Sequence, residues 1–318
     1  MFKKFRGNNI VFIIIIVALV LFPFVSDSRT LTILLTQIFI FAILAMSYDI
    51  LLGYTGIVSF GHAMFFGIGA YSTAIMLKNL EPTMTYFILS IIIGIILAGI
   101  ISFVIGLLTL RLQSHFFAMF TLAVSGLFLV MVEKWRTLTQ GNDGFTFRAP
   151  EMFSDRTIFY LFVLFCLLVI FLMLRRFVQS PFGRVLIAVK ENETRTAALG
   201  YRAIYYKVMS SVVAGVVASL AGSLYVISLR FVNTSVMAID MTLNALLMTI
   251  IGGAGTLVGP ILGAAVIELA QHNLSNLAKI HPIFERWIIF FGIIYILAVI
   301  FFPKGVVGTI REKAGRKK

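Results

Sequence analysis

Apolar residues in this chain form long uninterrupted runs, without the alternation of a half-buried strand or the single stripe of a surface helix. Most of the nine runs have about 17–25 residues, the length with which a helix crosses a bilayer. Their approximate limits are 10–25, 31–52, 53–77, 86–110, 115–132, 158–174, 205–229, 240–267 and 283–302. The pattern predicts an all-α fold, a polytopic membrane helical bundle of about 9–10 spans, as a single transmembrane domain over residues 1–318.

The polar segments between the runs differ in charge, and this difference predicts the orientation of the chain. Basic residues predominate before the first run, in the 175–207 loop and in the tail at 303–318. The 133–157 segment instead balances four basic residues against four acidic ones. Because segments rich in lysine and arginine stay in the cytoplasm, we expect a multi-pass protein of a bacterial inner membrane. Both termini and 175–207 are expected inside, and 133–157 outside.

The run at 240–267 cannot be one ordinary crossing if these orientations hold. Seven spans carry the chain outside near Arg230, and an inward crossing at 283–302 must bring it to the cytoplasmic tail. The run at 240–267 must therefore begin and end outside, either as a re-entrant hairpin or as two short spans. We expect the break at Gly252, Gly253 and Gly255.

A second glycine-rich segment, 53–71, lies in the amino-terminal half. Paired glycine-interrupted spans are typical of transporters built from two inverted-topology halves, whose broken helices line the solute site. We expect such halves here, with breaks that meet near mid-membrane and leave backbone groups free for the solute. The candidate residues of the substrate path are Tyr54, Ser59, Gly61, His62, Gly252, Gly253, Gly255 and Thr256.

These candidates also have structural interpretations, which stay open at this point. The second break can be an ordinary loop between two helices. The hydroxyls of Ser59 and Thr256 can cap their own helices. His62 is a functional candidate because it is ionisable and lies inside an apolar run, but a packed and hydrogen-bonded histidine fits the same position. Asp49 is a weaker candidate, because a position at a membrane face also fits it.

The amino-acid composition excludes the classes of soluble protein. Of 318 residues, 60% are hydrophobic and 12% are charged, and the mean hydropathy is +1.03, whereas soluble domains carry about 25% charged residues. The net charge of +13 does not indicate nucleic acid, because no polar domain is present to carry a basic binding face. The lipid bilayer is the expected environment.

Enzyme motifs are missing from the sequence. It contains no Gly-Lys pair, and a nucleotide-binding loop needs Gly-Lys followed by Ser or Thr. The four histidines and the single cysteine, Cys166, are not spaced for a shared metal. We therefore expect no catalytic residue, no metal and no cofactor.

Five segments, in order, resemble the LivM-type permeases of branched-chain amino acid ABC importers. They are 53–71, 138–144, 183–193, 251–265 and 302–305. The resemblance implies a permease subunit that moves branched-chain or other apolar amino acids into the cytoplasm. It also implies a homologous second permease subunit, two cytoplasmic ATPase subunits that hydrolyse the ATP, and an extracytoplasmic substrate-binding protein.

The resemblance further implies a short coupling helix that docks on the ATPase. Glu193, Ala197, Ala198 and Gly200 lie at the matching positions, although the alanines do not directly follow the glutamate. Alanine favours helix, and glycine can end one. The alternative is a solvated basic loop that only sets orientation.

Two other functions stay open. Permeases for urea or short amides share much of the motif pattern. A secondary carrier or channel acting alone is a further alternative, but ion-coupled carriers place carboxylates inside the membrane. The acidic residues of this chain fall mainly in loops and at span ends.

Overall fold

The computed structural model describes residues 6–25, 28–109 and 114–278 and the single residues Gly292, Ile296, Gly305 and Gly308. These parts of the chain form α-helices joined by short turns, together with one pair of two-residue strands. The helices are α1 (Arg6–Val25), α2 (Arg29–Asp49), α3 (His62–Asn79), α4 (Met84–Thr109), α5 (Ser114–Lys134), α6 (Arg136–Thr139), α7 (Arg156–Gln179), α8 (Pro181–Glu191), α9 (Glu193–Ala198), α10 (Ala203–Leu229), α11 (Ile239–Gly252) and α12 (Val258–Ala278). The strands are β1 (Phe145–Thr146) and β2 (Phe231–Val232).

Among the residues that the structure describes, five helical segments are long and apolar enough to cross a membrane. They are Arg29–Thr55, Met84–Thr109, Phe116–Lys134, Arg156–Gln179 and Ala203–Leu229. Helices satisfy their own backbone groups, which lipid cannot do, and the predicted all-α polytopic bundle is confirmed. The total of about 9–10 spans stays a prediction, because nearly all of the run at 283–302 lies outside the described residues.

The centre of the bundle is α2. Every residue from Ile38 to Leu51 is buried, and α7, α10, α11 and α12 pack around this part of the chain. By contrast, α4 and α5 expose large apolar side chains such as Ile96 and Leu127. A helix that is apolar on all sides suits either the core of the bundle or a lipid-facing position.

Small residues bring α3 and α10 close together. A Cβ added at Gly69 would meet the carbonyl group of Ser219, and one added at Gly222 would meet the carbonyl group of Phe66. Backbones of membrane helices approach this closely only where side chains are small. These glycines are therefore packing positions between two central helices.

One end of the bundle is covered by the 133–157 segment. There β1 pairs antiparallel with β2, with Phe145 opposite Val232. Arg230, directly after α10, donates from its Nη2 to the carbonyl oxygen of Phe153 at 3.2 Å. The segment thus ties the start of α7 to the end of α10.

The opposite end carries the basic segment 175–207, in which the structure shows helix α8 before the expected short helix. α7 continues to Gln179, α8 and α9 follow, and α10 begins at Ala203. Ser180 caps α8, because its Oγ accepts a hydrogen bond from the N–H of Gly183 at 3.2 Å. A serine cap followed by proline at the first helical position is a strong helix start.

Two predicted boundaries are also wrong. The limit between the runs 31–52 and 53–77 falls inside a helix, because α2 passes without interruption into a π-helical turn over Ile50–Thr55. The run at 240–267 ends too early, since α12 continues to Ala278. Polar residues after Ile267 hid this extension, although the backbone continues as a regular helix.

Candidate transport site

The first helix break lies between α2 and α3. After the π-helical turn, which contains the buried Tyr54, Gly56 adopts a left-handed conformation with φ 74°. An irregular segment follows to Gly61, and α3 begins at His62. The break therefore falls inside the glycine-rich segment 53–71, as predicted.

Hydroxyl groups from neighbouring helices bind backbone groups that this break leaves without helical partners. The N–H of Phe60 donates to Oγ1 of Thr121 in α5 at 3.1 Å. The N–H of Ala63 donates to Oγ1 of Thr242 in α11 at 2.8 Å. Irregular backbone at membrane depth needs such partners. These groups are therefore bonded within the chain, which corrects our expectation that they are free for the solute.

Ser59 and His62 also have partners within the chain. The Oγ of Ser59 accepts from the N–H of Gly61 at 3.3 Å, and its carbonyl oxygen accepts from Oη of Tyr48 at 3.1 Å. His62 is fully buried, with Nε2 2.8 Å from Oγ of Ser47. Its Nδ1 has no hydrogen-bond partner in the part of the chain that the structure describes. The histidine is thus packed and hydrogen-bonded on one side only.

The second break separates α11 from α12. Gly253, Gly255 and Leu257 have positive φ angles of 115°, 83° and 56°, a conformation that glycine adopts without a steric penalty. α12 then runs back along α11, because a Cβ added at Gly263 would meet the carbonyl group of Met248. The chain therefore forms a hairpin of two helices, and the break lies where the count of crossings predicted it.

Thr256 caps the second helix of this hairpin. Its Oγ1 accepts from the N–H of Gly259 at 2.9 Å and donates to the carbonyl oxygen of Gly253 at 2.8 Å. A hydroxyl in this position satisfies one of the unpaired N–H groups of a helix start. The capping interpretation of Thr256 therefore describes its observed contacts.

Asp49 connects the two breaks. Its Oδ1 accepts from the N–H of Gly255 at 2.6 Å, and its Oδ2 accepts from the N–H of Leu257 at 3.2 Å. The side chain is fully buried at the end of α2. A carboxylate near the first turn of a helix also complements the partial positive charge there. Asp49 therefore caps α12 from another helix.

The two glycine-rich segments touch directly at Gly53. A Cβ added there would overlap the Asp49 carboxylate and would lie 2.8 Å from the Cα of Gly255. No side chain fits between these two backbones. We refer to Asp49, Gly53, Gly255 and Leu257 as the junction.

The junction lies at the α8 end of the bundle. Nζ of Lys190, near the end of α8, donates to the carbonyl oxygen of Gly53 at 2.7 Å. The breaks therefore meet beside the basic segment, which corrects the expected meeting point near mid-membrane. Gly61 takes no part in this contact, since a Cβ added there would lie 3.1 Å from the carbonyl oxygen of Thr121 in α5.

Comparison with known proteins gives the family. The sequence model described as "Branched-chain amino acid transport system / permease component" matches residues 30–299. The chain belongs to this family of permeases. With its long apolar helices, this permease is a multi-pass membrane protein.

Relatives of the permease are distant. A probable branched-chain amino acid transport permease protein LivM from Methanocaldococcus jannaschii is 26% identical over 160 residues, 47% of this chain and 46% of that protein. The LivM protein of Escherichia coli is 22% identical over 324 residues, 94% of this chain and 75% of that protein. The match to LivM of Salmonella typhimurium is 24% identical over 170 residues and covers 39% of it. The chain thus spans less than half the length of two of these relatives, and no solved structure matches it.

Four of the five segments that resemble this family meet at or beside the junction of the permease. They contribute Gly53, Lys190, Gly255 and, packed against Gly253, Gly305. The fifth segment lies at the opposite end, where Oδ1 of Asn142 accepts from Oγ1 of Thr234 at 2.8 Å. Sequence motifs far apart in the chain therefore converge on one structural feature.

The residues proposed for coupling lie on and after α9. Asn192 caps this helix, with Oδ1 accepting from the N–H of Arg195 at 2.8 Å. Glu193 forms an ion pair with Lys207 of α10 at 2.6 Å. Ala197 and Ala198 are exposed at the end of the helix, and Gly200 follows it with φ 91°. The helix and its end were therefore predicted correctly, and docking on an ATPase stays a prediction.

Sequence reasoning missed several residues that the structure makes prominent. Asp49 was detectable as an ionisable residue at the end of an apolar run, four positions before a glycine. Glu268, another ionisable residue in an apolar stretch, was also overlooked and is buried within α12. Acidic residues are therefore not confined to loops and span ends. Lys190 and the hydroxyls of Thr121 and Thr242 gave no signal, because their partners lie far away in the sequence. Leu199, directly after α9, is 71% exposed.

Proposed function

We propose that this chain is the permease subunit of an ATP-driven importer for branched-chain or other apolar amino acids. The family match over residues 30–299 is the observation that carries the proposal, and the three relatives described above bear names of the same transport class. The proposed partners are a homologous second permease subunit, two cytoplasmic ATPase subunits and an extracytoplasmic binding protein. The proposed location is a bacterial inner membrane, with both termini in the cytoplasm.

The proposed path of the solute runs along the two breaks, and the junction closes it at the cytoplasmic end. The buried Asp49, the direct contact of Gly53 with Gly255, and the partly exposed Thr256 support this position. In the described arrangement the polar groups of the breaks already have hydrogen-bond partners within the chain. The proposal therefore requires a second arrangement in which junction hydrogen bonds open, so that amide and carbonyl groups meet the charges of an amino acid. ATP drives the change by binding the two arrangements with different affinity.

Coupling is proposed to occur through α9. Its exposed Ala197 and Ala198 leave room for a close contact with an ATPase groove, and Leu199 offers an unpartnered apolar side chain beside them. Apolar surface that is buried on docking stabilises a complex. The neighbouring α8 connects this surface to the junction through Lys190.

Uptake of labelled leucine into proteoliposomes tests the proposed function. The liposomes contain the full complex of this chain with its partner permease and ATPase subunits, and binding protein is added on one side. We expect accumulation that needs ATP and the binding protein and stops with orthovanadate. Competition by unlabelled isoleucine or valine, and none by urea or acetamide, is expected for an apolar amino acid path.

If the chain is a secondary carrier, uptake depends on an ion gradient and does not depend on ATP. The buried carboxylates of Asp49 and Glu268 are the kind of group that an ion-coupled carrier uses. Uptake that continues without ATP and is abolished by a proton ionophore would therefore replace the importer proposal. Competition by urea or short amides would keep the ATP-driven mechanism but change the substrate.

A further inference from the structure

α8 and α9 form one continuous unit at the end of the bundle. Only Asn192 separates them. Its N–H donates to the carbonyl oxygen of Ala188 in α8 at 3.0 Å, and its Oδ1 accepts from the N–H of Arg195 in α9 at 2.8 Å. One residue therefore closes the first helix and caps the second, so a displacement of α9 is passed on to α8.

Lys190 is the contact of this unit with the junction. Its ammonium group donates to the carbonyl oxygen of Gly53 at 2.7 Å, at the end of the π-helical turn. Cations are favourable beside the unpaired carbonyl groups of a helix end. The stem of the lysine crosses Gly56, where an added Cβ would lie 2.9 Å from its Cγ. The absence of a side chain at Gly56 therefore leaves the path open for Lys190.

The residue that accepts this hydrogen bond, Gly53, lies against the carboxylate that holds the second break. Asp49 binds the N–H groups of Gly255 and Leu257, and a Cβ added at Gly53 would overlap its carboxylate. A buried carboxylate depends on its cationic and N–H partners, because it has lost its hydration. Withdrawal of the ammonium group would leave the carbonyl oxygen of Gly53 without this hydrogen bond, directly beside the Asp49 carboxylate and Gly255.

We infer that Lys190 is a positioning residue that links the movement of α9 to the opening of the junction. The inference rests on the proposed function. When the ATPase subunits move α9, α8 moves with it and Lys190 leaves Gly53. The junction is then destabilised at Asp49, and the hairpin of α11 and α12 is released from α2. The ion pair of Glu193 with Lys207 is a second tie of α9 to the bundle, but it does not reach the junction.

The test compares Lys190→Met and Lys190→Arg in the complete transporter complex, with Arg184→Met as the matched control. Arg184 is exposed on the same helix. The measured quantity is leucine taken up per ATP hydrolysed. For Lys190→Met we expect ATP hydrolysis to continue and this ratio to fall about tenfold, the size of one lost charge-assisted hydrogen bond. Lys190→Arg should restore most of the ratio, and Arg184→Met should leave it unchanged.

A labelling experiment provides a second measurement, and its first part uses a complex that retains Lys190. Ala254 is exposed at the tip of the second break. In an Ala254→Cys, Cys166→Ala complex with Lys190 intact, the rate of thiol labelling should change on addition of ATP. Lys190→Met should abolish this ATP dependence while ATP is still hydrolysed.

The inference is overturned if Lys190→Met keeps a normal ratio of uptake to ATP hydrolysis, or if ATP leaves labelling at Ala254 unchanged in the complex that retains Lys190. Loss of assembly that Lys190→Arg does not restore would also overturn it, because the lysine would then serve folding only. A wild-type complex that assembles but shows no ATP-dependent uptake contradicts the proposed function instead.

Discussion

Asp49 accepts hydrogen bonds from two N–H groups of the second break, although 206 residues separate it from Gly255. The contact is energetically favourable for the N–H groups and for the carboxylate alike. The N–H groups at the start of α12 have no helical partners, and a buried carboxylate without donors is strongly unfavourable. The Asp49 side chain therefore accepts hydrogen bonds from N–H groups both in the second break and at the start of α12.

Asp49→Asn should weaken the junction. The amide has one accepting oxygen, so one of the N–H groups of Gly255 and Leu257 loses its partner and faces another donor. An unsatisfied buried N–H costs about 1–3 kcal/mol, and we expect a lower midpoint of thermal unfolding for the purified complex. Asp143→Asn is the control, because Asp143 is exposed at the other end of the bundle. Equal midpoints for the two variants would show that the Asp49 carboxylate does not hold the breaks together.

Gly53→Ala should block transport while the spans still insert. The new methyl group would overlap the Asp49 carboxylate and the backbone of Gly255, and overpacking of this kind costs about 1–3 kcal/mol. The matched control is Gly126→Ala in α5, where an added Cβ meets nothing within 4 Å. Leucine uptake should fall strongly in the first variant only. Not every glycine within a span can serve as a control. At Gly94 in α4, an added Cβ would lie 2.6 Å from Oγ of Ser72.

Among the secondary-structure elements, sequence and structure agree best where one physical constraint dominates. Lipid requires continuous helices, so the long apolar runs predicted the spans. Charge and the count of crossings then predicted the break at 252–255. The caps supplied by Asp49, Thr121 and Thr242 were not predictable, because they depend on partners 61 to 208 residues away.

α9 carries the clearest test at the scale of an element. Leu199→Asp should prevent co-purification of the ATPase subunits, because a charge would replace the exposed apolar side chain at the proposed docking surface. The fold of the chain should not change, since 71% of Leu199 is already exposed. Met152→Asp is the matched control, because Met152 is also a largely exposed apolar residue (53%) and lies at the opposite end. If the Leu199 variant retains its ATPase subunits, the docking surface lies elsewhere.

At the scale of the whole molecule, the segments expected on opposite sides of the membrane lie at opposite ends of the bundle. The 133–157 segment covers one end together with β2, and α8 and α9 form the other. This separation agrees with the distribution of basic residues from which orientation was predicted. The inverted relation of the two halves stays a prediction.

Single cysteines in a Cys166→Ala background should establish the orientation. Asp143→Cys and Asn273→Cys should react with an impermeant maleimide in intact cells, whereas Glu191→Cys should react only in inverted vesicles. All three positions are exposed, and none supplies a cap that the substitution would remove. Labelling of Glu191→Cys from outside the cell would reverse the proposed orientation and exclude an ATPase at α9.

The partners of Asp49 lie late in the sequence, so the junction can form only near the end of synthesis. Asp49 leaves the ribosome 206 residues before Gly255, so α2 inserts before the N–H groups that bind its carboxylate exist. Contacts this distant in sequence form late and slowly. During synthesis α2 must therefore keep Asp49 near water or shielded by the insertion machinery, and its final depth is set only when the hairpin of α11 and α12 arrives. A chain interrupted before residue 253 should thus be recognised by quality control through this unpaired carboxylate.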